Sequence, residues 1–133
     1  MRGDLAVTGA TGSALGPIRR RARRVGVSMV EVGPAPVLAF DRHGLVVELS
    51  GLGAVRVGLL GRHQAANVAV ADAVLDALGA AGIAHVGIDA RRAGYAAARW
   101  PGRLELLDWS MQSRARDAAS RSRVGVPASE VPA

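Results

Sequence analysis

The chain has 133 residues, enough for one domain, and half of them are apolar, although small alanine and glycine side chains predict a thin core. It contains no cysteine, which excludes disulfides and thiolate metal sites, and no lysine, which excludes a P-loop lysine or a Schiff-base lysine. All 17 basic residues are arginine, and five of them lie in residues 19–24, so the formal charge of +6 leaves 6 − 5 = +1 elsewhere.

The first predicted unit is a strand, a helix and a second strand. Residues 4–7 are apolar enough for a strand, and a glycine-rich turn, T-G-A-T-G, follows at residues 8–12. A helix is expected over residues 16–24, because apolar side chains recur at helical spacing at Ile18, Ala22 and Val25. Residues 27–32 suit a buried parallel strand. This order predicts a βαβ unit.

The glycine-rich turn has two interpretations. Backbone N–H groups between a strand and a helix can cradle phosphate, and T-G-A-T-G resembles the nucleotide-binding turn of short-chain dehydrogenases. Their T-G-x-x-G-x-x-G pattern, however, needs a glycine where this chain has Leu15, and no lysine is present for their Tyr-x-x-x-Lys pair. A plain strand-to-helix turn is favoured, with a nucleotide-binding oxidoreductase-like domain as an alternative.

The arginine run also has two interpretations. The five arginines occupy the helix positions that the apolar stripe leaves over, which predicts a solvated face. A small basic nucleic-acid-binding module is the alternative, but the run has no interleaved aromatic residues. We therefore expect no specific nucleic-acid partner.

A break at G-P-A-P, residues 33–36, is followed by three short apolar runs at residues 37–40, 45–49 and 55–60. The turns between them contain glycine, which predicts an antiparallel meander. His43 lies in the first of these turns and is expected to face solvent.

A helix is predicted after Gly61. On a helical wheel, the exposed positions should include Asp72 and Asp76, whereas Asn67 should lie on the buried or cleft-facing side and need a hydrogen-bond partner. His63 leads a similar stripe, and the pattern alone favours the plainer interpretation that both side chains satisfy free backbone groups at the helix start. The predicted apolar face consists of Val70, Ala71, Val74, Ala77 and Leu78.

A second helix is expected over residues 90–99 with Asp89 as its N-cap, and Pro101 and Gly102 suit a type II turn that presents Arg103. Residues 104–107 read as a strand, and residues 108–133, rich in Ser, Arg and Ala, as a disordered tail. The predicted fold class is α/β: a partial Rossmann-like domain with a βαβ unit, then the meander and two helices.

Two motifs carry a resemblance. G-R-H-Q-x-x-N at residues 61–67 resembles the motif that ends the central ATPase domain of the Mur ligase superfamily. The Gln after His, together with W-P-G-R-x-E at residues 100–105, resembles the folylpolyglutamate synthase and dihydrofolate synthase branch. This resemblance implies that residues 1–99 are the C-terminal part of a central domain, and residues 100–107 a linker with the first strand of a truncated C-terminal domain. A peptidoglycan-type Mur ligase is the nearest alternative.

The resemblance also implies a chemistry for the parent protein. ATP with Mg²⁺ would phosphorylate a folate or dihydropteroate carboxylate, and the amine of glutamate would attack the acyl phosphate. Asn67 resembles the residue that hydrogen-bonds the adenine edge, and Arg103 the linker arginine that reaches the nucleotide phosphates. No residue is assigned a catalytic or metal-binding role, because the P-loop and the magnesium ligands of such enzymes have no counterpart here. We expect the fragment to be inactive by itself, monomeric and cytoplasmic. We also expect no membrane contact, because no apolar run approaches the length of about 18 residues that a membrane span needs.

Overall fold

The computed structural model describes residues 4–101. The chain is mixed α/β, as predicted, with a short 3₁₀ turn at Gly12–Ala14. Its strands and helices are β1 (Leu5–Thr8), α1 (Leu15–Val25), β2 (Ser28–Glu31), β3 (Val37–Asp41), β4 (Gly44–Leu49), β5 (Gly53–Val57), α2 (Gln64–Ala80) and α3 (Ile88–Ala97).

The βαβ unit is confirmed. β1 and β2 pair in parallel, with Leu5 opposite Ser28 and Thr8 opposite Glu31. α1 ends at Gly26, whose φ of 71° lies in the left-handed region that glycine adopts readily. The N–H of Gly26 donates to the carbonyls of Ala22 and Arg23, and the chain then continues directly into β2.

All five arginines of α1 are exposed, as the solvated-face interpretation predicts. Ala22 is the buried residue of this helix and lines a cavity with Ala6 of β1 and Met29 of β2. Arg19 donates to both carboxylate oxygens of Glu31 at 2.6 Å, and this contact holds the pKa of Glu31 below its ordinary value. Both partners are well exposed, so the pair adds little stability.

We expect the α1 arginines to bind duplex DNA weakly and without sequence preference. Arg19 is already paired, so four guanidinium groups remain, and counterion release then gives a slope of log K against log salt no steeper than about −3.6. Titrations of two unrelated duplexes at rising salt measure this slope, with Arg20→Gln/Arg24→Gln as the variant that should flatten it. A preference for one duplex that persists at physiological salt would contradict the prediction.

The core lies between the meander and α2. β3, β4 and β5 form an antiparallel sheet in sequence order, and alternate side chains of β4 and β5 point inward. His43, in the turn between β3 and β4, is exposed as predicted. The buried core is built from small aliphatic side chains, as the composition predicts: Ala35, Leu45, Val47, Leu49, Leu52, Val55, Val57, Ala65, Val68 and Ala69.

The predicted orientation of α2 is wrong. Its buried residues are Gln64, Ala65, Val68, Ala69 and Asp72, a face that lies about 150° around the helix from the predicted one. The reason is that alanine and valine cover α2 nearly all round, so periodicity defines its inner face poorly. Asp72 is buried because partners on α3, outside the window of the wheel, compensate its charge.

The predicted apolar face of α2 meets the other sheet instead. The side chain of Val70 lies against Gly9, where an added Cβ would come within 2.7 Å of its Cγ2. Val74 and Leu78 line a cavity of about 530 Å³ with Leu5 and Val7 of β1, and Val74 remains 38% exposed. α2 therefore lies between the meander and the βαβ unit and presents apolar side chains to both.

α3 begins at Ile88 with Gly87 as its N-cap, so the prediction of Asp89 as N-cap is wrong; Asp89 lies in the first turn. An acidic side chain is favourable there too, because it faces the free N–H groups. Arg103, the predicted strand at 104–107 and the predicted tail at 108–133 lie outside the described residues. Between residues 4 and 101, no helix is long and apolar enough to cross a membrane.

Candidate functional site

A cleft of about 420 Å³ opens between the N-terminal half of α2, the end of β5 and the end of α3. Most of its lining residues are aliphatic or aromatic, and those with polar side-chain atoms are Gln64, Asn67, Tyr95 and Trp100. Such a mixture of apolar walls and few polar groups is typical of small-molecule sites. The lining residues are Val57, Leu59, Gln64, Asn67, Val68, Ala71, Tyr95, Ala98 and Trp100.

Asn67 lines this cleft but is exposed, so the cleft-facing form of the prediction holds and the buried form does not. The buried amide is Gln64, at 5% exposure. Asn67 donates from Nδ2 to Gln64 Oε1 at 2.9 Å, and Gln64 Nε2 lies 3.1 Å from Nε2 of His63. The motif residues thus form one hydrogen-bonded row. Among residues 4–101, nothing donates to Oδ1 of Asn67, so that oxygen and one N–H can meet a ligand.

The opposite wall comes from α3 and the residues that follow it. Tyr95 and Trp100 both line the cleft, and Trp100 is 57% exposed. Sequence reasoning used Trp100 only as part of a motif and assigned Tyr95 no role. The sequence did contain an indication that Tyr95 has a role, because it is the one tyrosine of the chain and lies one helical turn from Arg91.

A buried ion-pair cluster connects α2 with α3. Asp72 accepts from Nη1 of Arg91 at 3.1 Å and from the hydroxyl of Tyr95 at 2.9 Å. Arg91 also donates to Asp76 at 2.5 Å and, through Nε, to the carbonyl of Val86 at 2.9 Å. The prediction that Asp72 is exposed is therefore wrong, whereas Asp76 is exposed as predicted.

The contacts in this cluster raise the pKa of Arg91 and of Tyr95. The hydrogen bond from Arg91 to Asp76, followed by the bond to Asp72, raises the pKa of Arg91 above its ordinary value, although burial opposes the shift. Burial, together with the hydrogen bond to Asp72, raises the pKa of Tyr95 well above its ordinary value. Tyr95 therefore stays protonated and donates to Asp72 at any physiological pH.

The end of α3 packs closely on Gly58, directly after β5. The N–H of Gly58 donates to the carbonyl of Tyr95 at 2.9 Å, and a Cβ at Gly58 would overlap the carbonyl oxygens of Ala96 and Ala98. Arg99 closes this junction by donating to the same two oxygens, at 2.9 and 2.7 Å. Gly58 therefore fixes the point from which the chain continues into Trp100.

The described residues offer no cluster of magnesium ligands, and the glycine-rich turn makes packing contacts. Within residues 4–101, no three His, Asp or Glu side chains lie close enough together to hold a metal ion. In the glycine-rich turn, Gly9 is explained by its contact with Val70, and the Thr8 hydroxyl accepts from the N–H of Ala10 at 3.1 Å. Gly9 therefore has a packing role in this turn.

The comparisons with known proteins agree with the motif. Over 53 residues, or 40% of this chain, the sequence is 42% identical to the dihydrofolate synthase/folylpolyglutamate synthase of Bacillus subtilis (strain 168). The matched stretch covers 12% of the length of that relative, so this chain corresponds to a small part of it. No protein-family model matches the chain, and no solved structure matches it significantly.

Proposed function

We propose that the cleft at Asn67 is the adenine-binding part of an ATP site, carried by a piece of an ATP-dependent ligase of the folylpolyglutamate synthase and dihydrofolate synthase type. The observation that carries the proposal is the Asn67 amide, which has a donor and an acceptor available beside an apolar wall. The similarity to the Bacillus subtilis relative supports it.

The chemistry of adenine suits this cleft. A purine ring is flat and apolar on its faces and can pack between Tyr95, Trp100 and aliphatic side chains. Its edge presents an amino donor beside a ring-nitrogen acceptor, and an asparagine amide pairs with both. Because Nδ2 of Asn67 is tied to Gln64, the amide is held in one orientation, with Oδ1 as the acceptor. This fixed orientation favours adenine over a purine with a carbonyl at the same position.

The rest of the parent's site follows from the same proposal. Arg103 lies outside the described residues but follows Trp100 by three positions, close enough in sequence for its guanidinium to bind the nucleotide phosphates. Magnesium, the P-loop, and the folate or dihydropteroate and glutamate sites would belong to other parts of the parent. The γ-phosphoryl group passes to the carboxylate with release of ADP, and the amine of glutamate then displaces phosphate. We also propose the division into a central domain up to residue 99 and a linker after it.

We expect adenosine to bind this cleft with a dissociation constant weaker than about 1 mM, equivalent to about −4 kcal/mol. Few polar contacts are available, and the phosphate-binding groups that give ATP sites their affinity are not formed by the described residues. The measurement is the indole N–H signal of Trp100 in ¹H–¹⁵N spectra of the 133-residue chain. The chain has two tryptophans, and Trp109→Phe assigns their signals.

Three comparisons decide the outcome. Inosine, with a carbonyl in place of the amino group, should bind at least about threefold more weakly than adenosine. Asn67→Ala should weaken adenosine binding about fivefold or more, because one or two hydrogen bonds of about 1 kcal/mol are lost. Val74→Ala, on α2 but outside the cleft, is the matched control and should leave binding unchanged. Equal affinity for inosine or no shift of Trp100 would each contradict the proposal, whereas micromolar binding would contradict only the predicted weak affinity.

A further inference from the structure

The Asp72–Arg91–Tyr95 cluster uses buried charges and hydrogen bonds where apolar side chains would be enough to pack α2 against α3. The side chains of Asp72 and Arg91 are 7% and 8% exposed, and every buried side-chain polar atom in residues 4–101 has a partner. Well-packed apolar residues often stabilise a fold as much as a buried ion pair does, because the pair must be removed from water. What directional bonds add is a fixed orientation of the groups that they connect.

Tyr95 belongs to both the cluster and the cleft. Its hydroxyl donates to Asp72 on α2, it is one of the residues that line the cleft, and its carbonyl accepts from Gly58 directly after β5. Arg91, one turn earlier on α3, donates to the same carboxylate oxygen of Asp72. Two side chains one turn apart therefore bind a single atom of α2, which fixes the rotation of α3 about its own axis.

The residues that line the cleft belong largely to α2 and α3, the two helices that the Asp72–Arg91–Tyr95 cluster connects. Asn67 and Gln64 lie on α2, whereas Tyr95 lies on α3 and Trp100 follows it. Asp72 is one turn beyond Val68, which is itself a lining residue. The contacts of Asp72 with α3 therefore determine how far the Asn67 amide lies from Tyr95 and Trp100.

We propose that Asp72 and Arg91 are positioning residues for this cleft, which hold the Tyr95 ring and the Trp100 segment at the distance from Asn67 that a purine needs. This proposal rests on the proposed function, because it takes a purine as the ligand. It differs from a purely stabilising role in one respect. Loss of the Tyr95 hydroxyl should change the cleft itself and not merely the resistance of the fold to unfolding.

The test compares Tyr95→Phe with Arg92→Gln in the full 133-residue chain. Tyr95→Phe keeps the ring and removes its bond to Asp72. Arg92 is a matched control, since it hydrogen-bonds the carbonyl of Leu52 and so ties α3 to the meander at a point away from the cleft. Both variants are measured well below their melting temperatures. Asp72→Asn, which keeps the shape of the side chain and removes its charge, is a second test.

The first measurement is the position of the Trp100 indole signal without ligand, and the second is the adenosine affinity. We expect Tyr95→Phe and Asp72→Asn to move the ligand-free signal and to weaken adenosine binding threefold or more, whereas Arg92→Gln changes neither. If adenosine binds normally to Tyr95→Phe and the Trp100 signal is unmoved, the positioning role is overturned and the adenine site stands. An equal effect in Arg92→Gln would also overturn it, because general docking of α3 would then suffice.

The two proposals can fail separately. If the unmodified chain shows no response to adenosine, yet Tyr95→Phe and not Arg92→Gln moves the ligand-free Trp100 signal, the adenine proposal fails and the cluster still positions the cleft. If the unmodified chain does not respond and Tyr95→Phe leaves Trp100 in place, both proposals fail.

Discussion

Asp72→Ala should lower the free energy of unfolding by about 3 kcal/mol. Removing one partner of a buried ion pair costs about 3–5 kcal/mol, because the other charge stays buried without compensation. The lower end applies here, because Arg91 retains Asp76, whose side chain is 64% exposed, and the carbonyl of Val86. The hydroxyl of Tyr95 also loses its acceptor. Urea denaturation at neutral pH measures the loss as a lower midpoint with an unchanged m-value.

The matched control is Asp76→Ala, which removes the other carboxylate of Arg91. Because Asp76 is largely in solvent, its loss should cost no more than about 1 kcal/mol. The double variant Asp72→Leu/Arg91→Met removes both buried charges and should recover most of the stability lost in Asp72→Ala. Equal losses for the two single alanine variants would show that burial does not decide the energetics of this cluster.

The sequence predicted the elements of this fold because each has a local cause. The turn glycines, the alternation in β4 and β5, and the apolar stripe of α1 are local patterns. The N-cap of α3 was predicted wrongly as Asp89 instead of Gly87. Both residues are compatible with a helix start, and the choice between them depends on the backbone conformation of the preceding loop.

The candidate site was only partly predictable. The wheel predicted that Asn67 lies on the buried or cleft-facing side of α2, and Asn67 lines the cleft, whereas its adenine-binding role stays a proposal. The burial of Asp72 was missed because it depends on Arg91 and Tyr95, which stand 19 and 23 residues later. A wheel drawn for one helix contains no information about a partner on another. A buried charge is therefore predictable only when the pairing of the helices is known.

Gly58→Ala should destabilise the chain by about 2–3 kcal/mol, although its backbone conformation is one that alanine can adopt. The added Cβ would overlap the guanidinium of Arg99, which can move aside, and the carbonyl oxygens of Ala96 and Ala98, which cannot. β5 and the end of α3 must therefore separate, which weakens the bond from the N–H of Gly58 to the carbonyl of Tyr95. Thermal unfolding followed by circular dichroism measures the loss.

Gly33→Ala is the matched control, because no atom beyond its chain neighbours lies within 4 Å of the position that its Cβ would occupy, and its φ is not positive. There the substitution restricts the unfolded chain without a clash and should be neutral or stabilise by up to about 1 kcal/mol. The two glycine variants should therefore differ in sign. Gly58→Ala should in addition displace the indole signal of Trp100, because that residue follows the junction by way of Arg99, whereas Gly33→Ala should leave it in place. A stable Gly58→Ala chain with an unmoved Trp100 signal would show that α3 does not pack on β5 as closely as the structure describes.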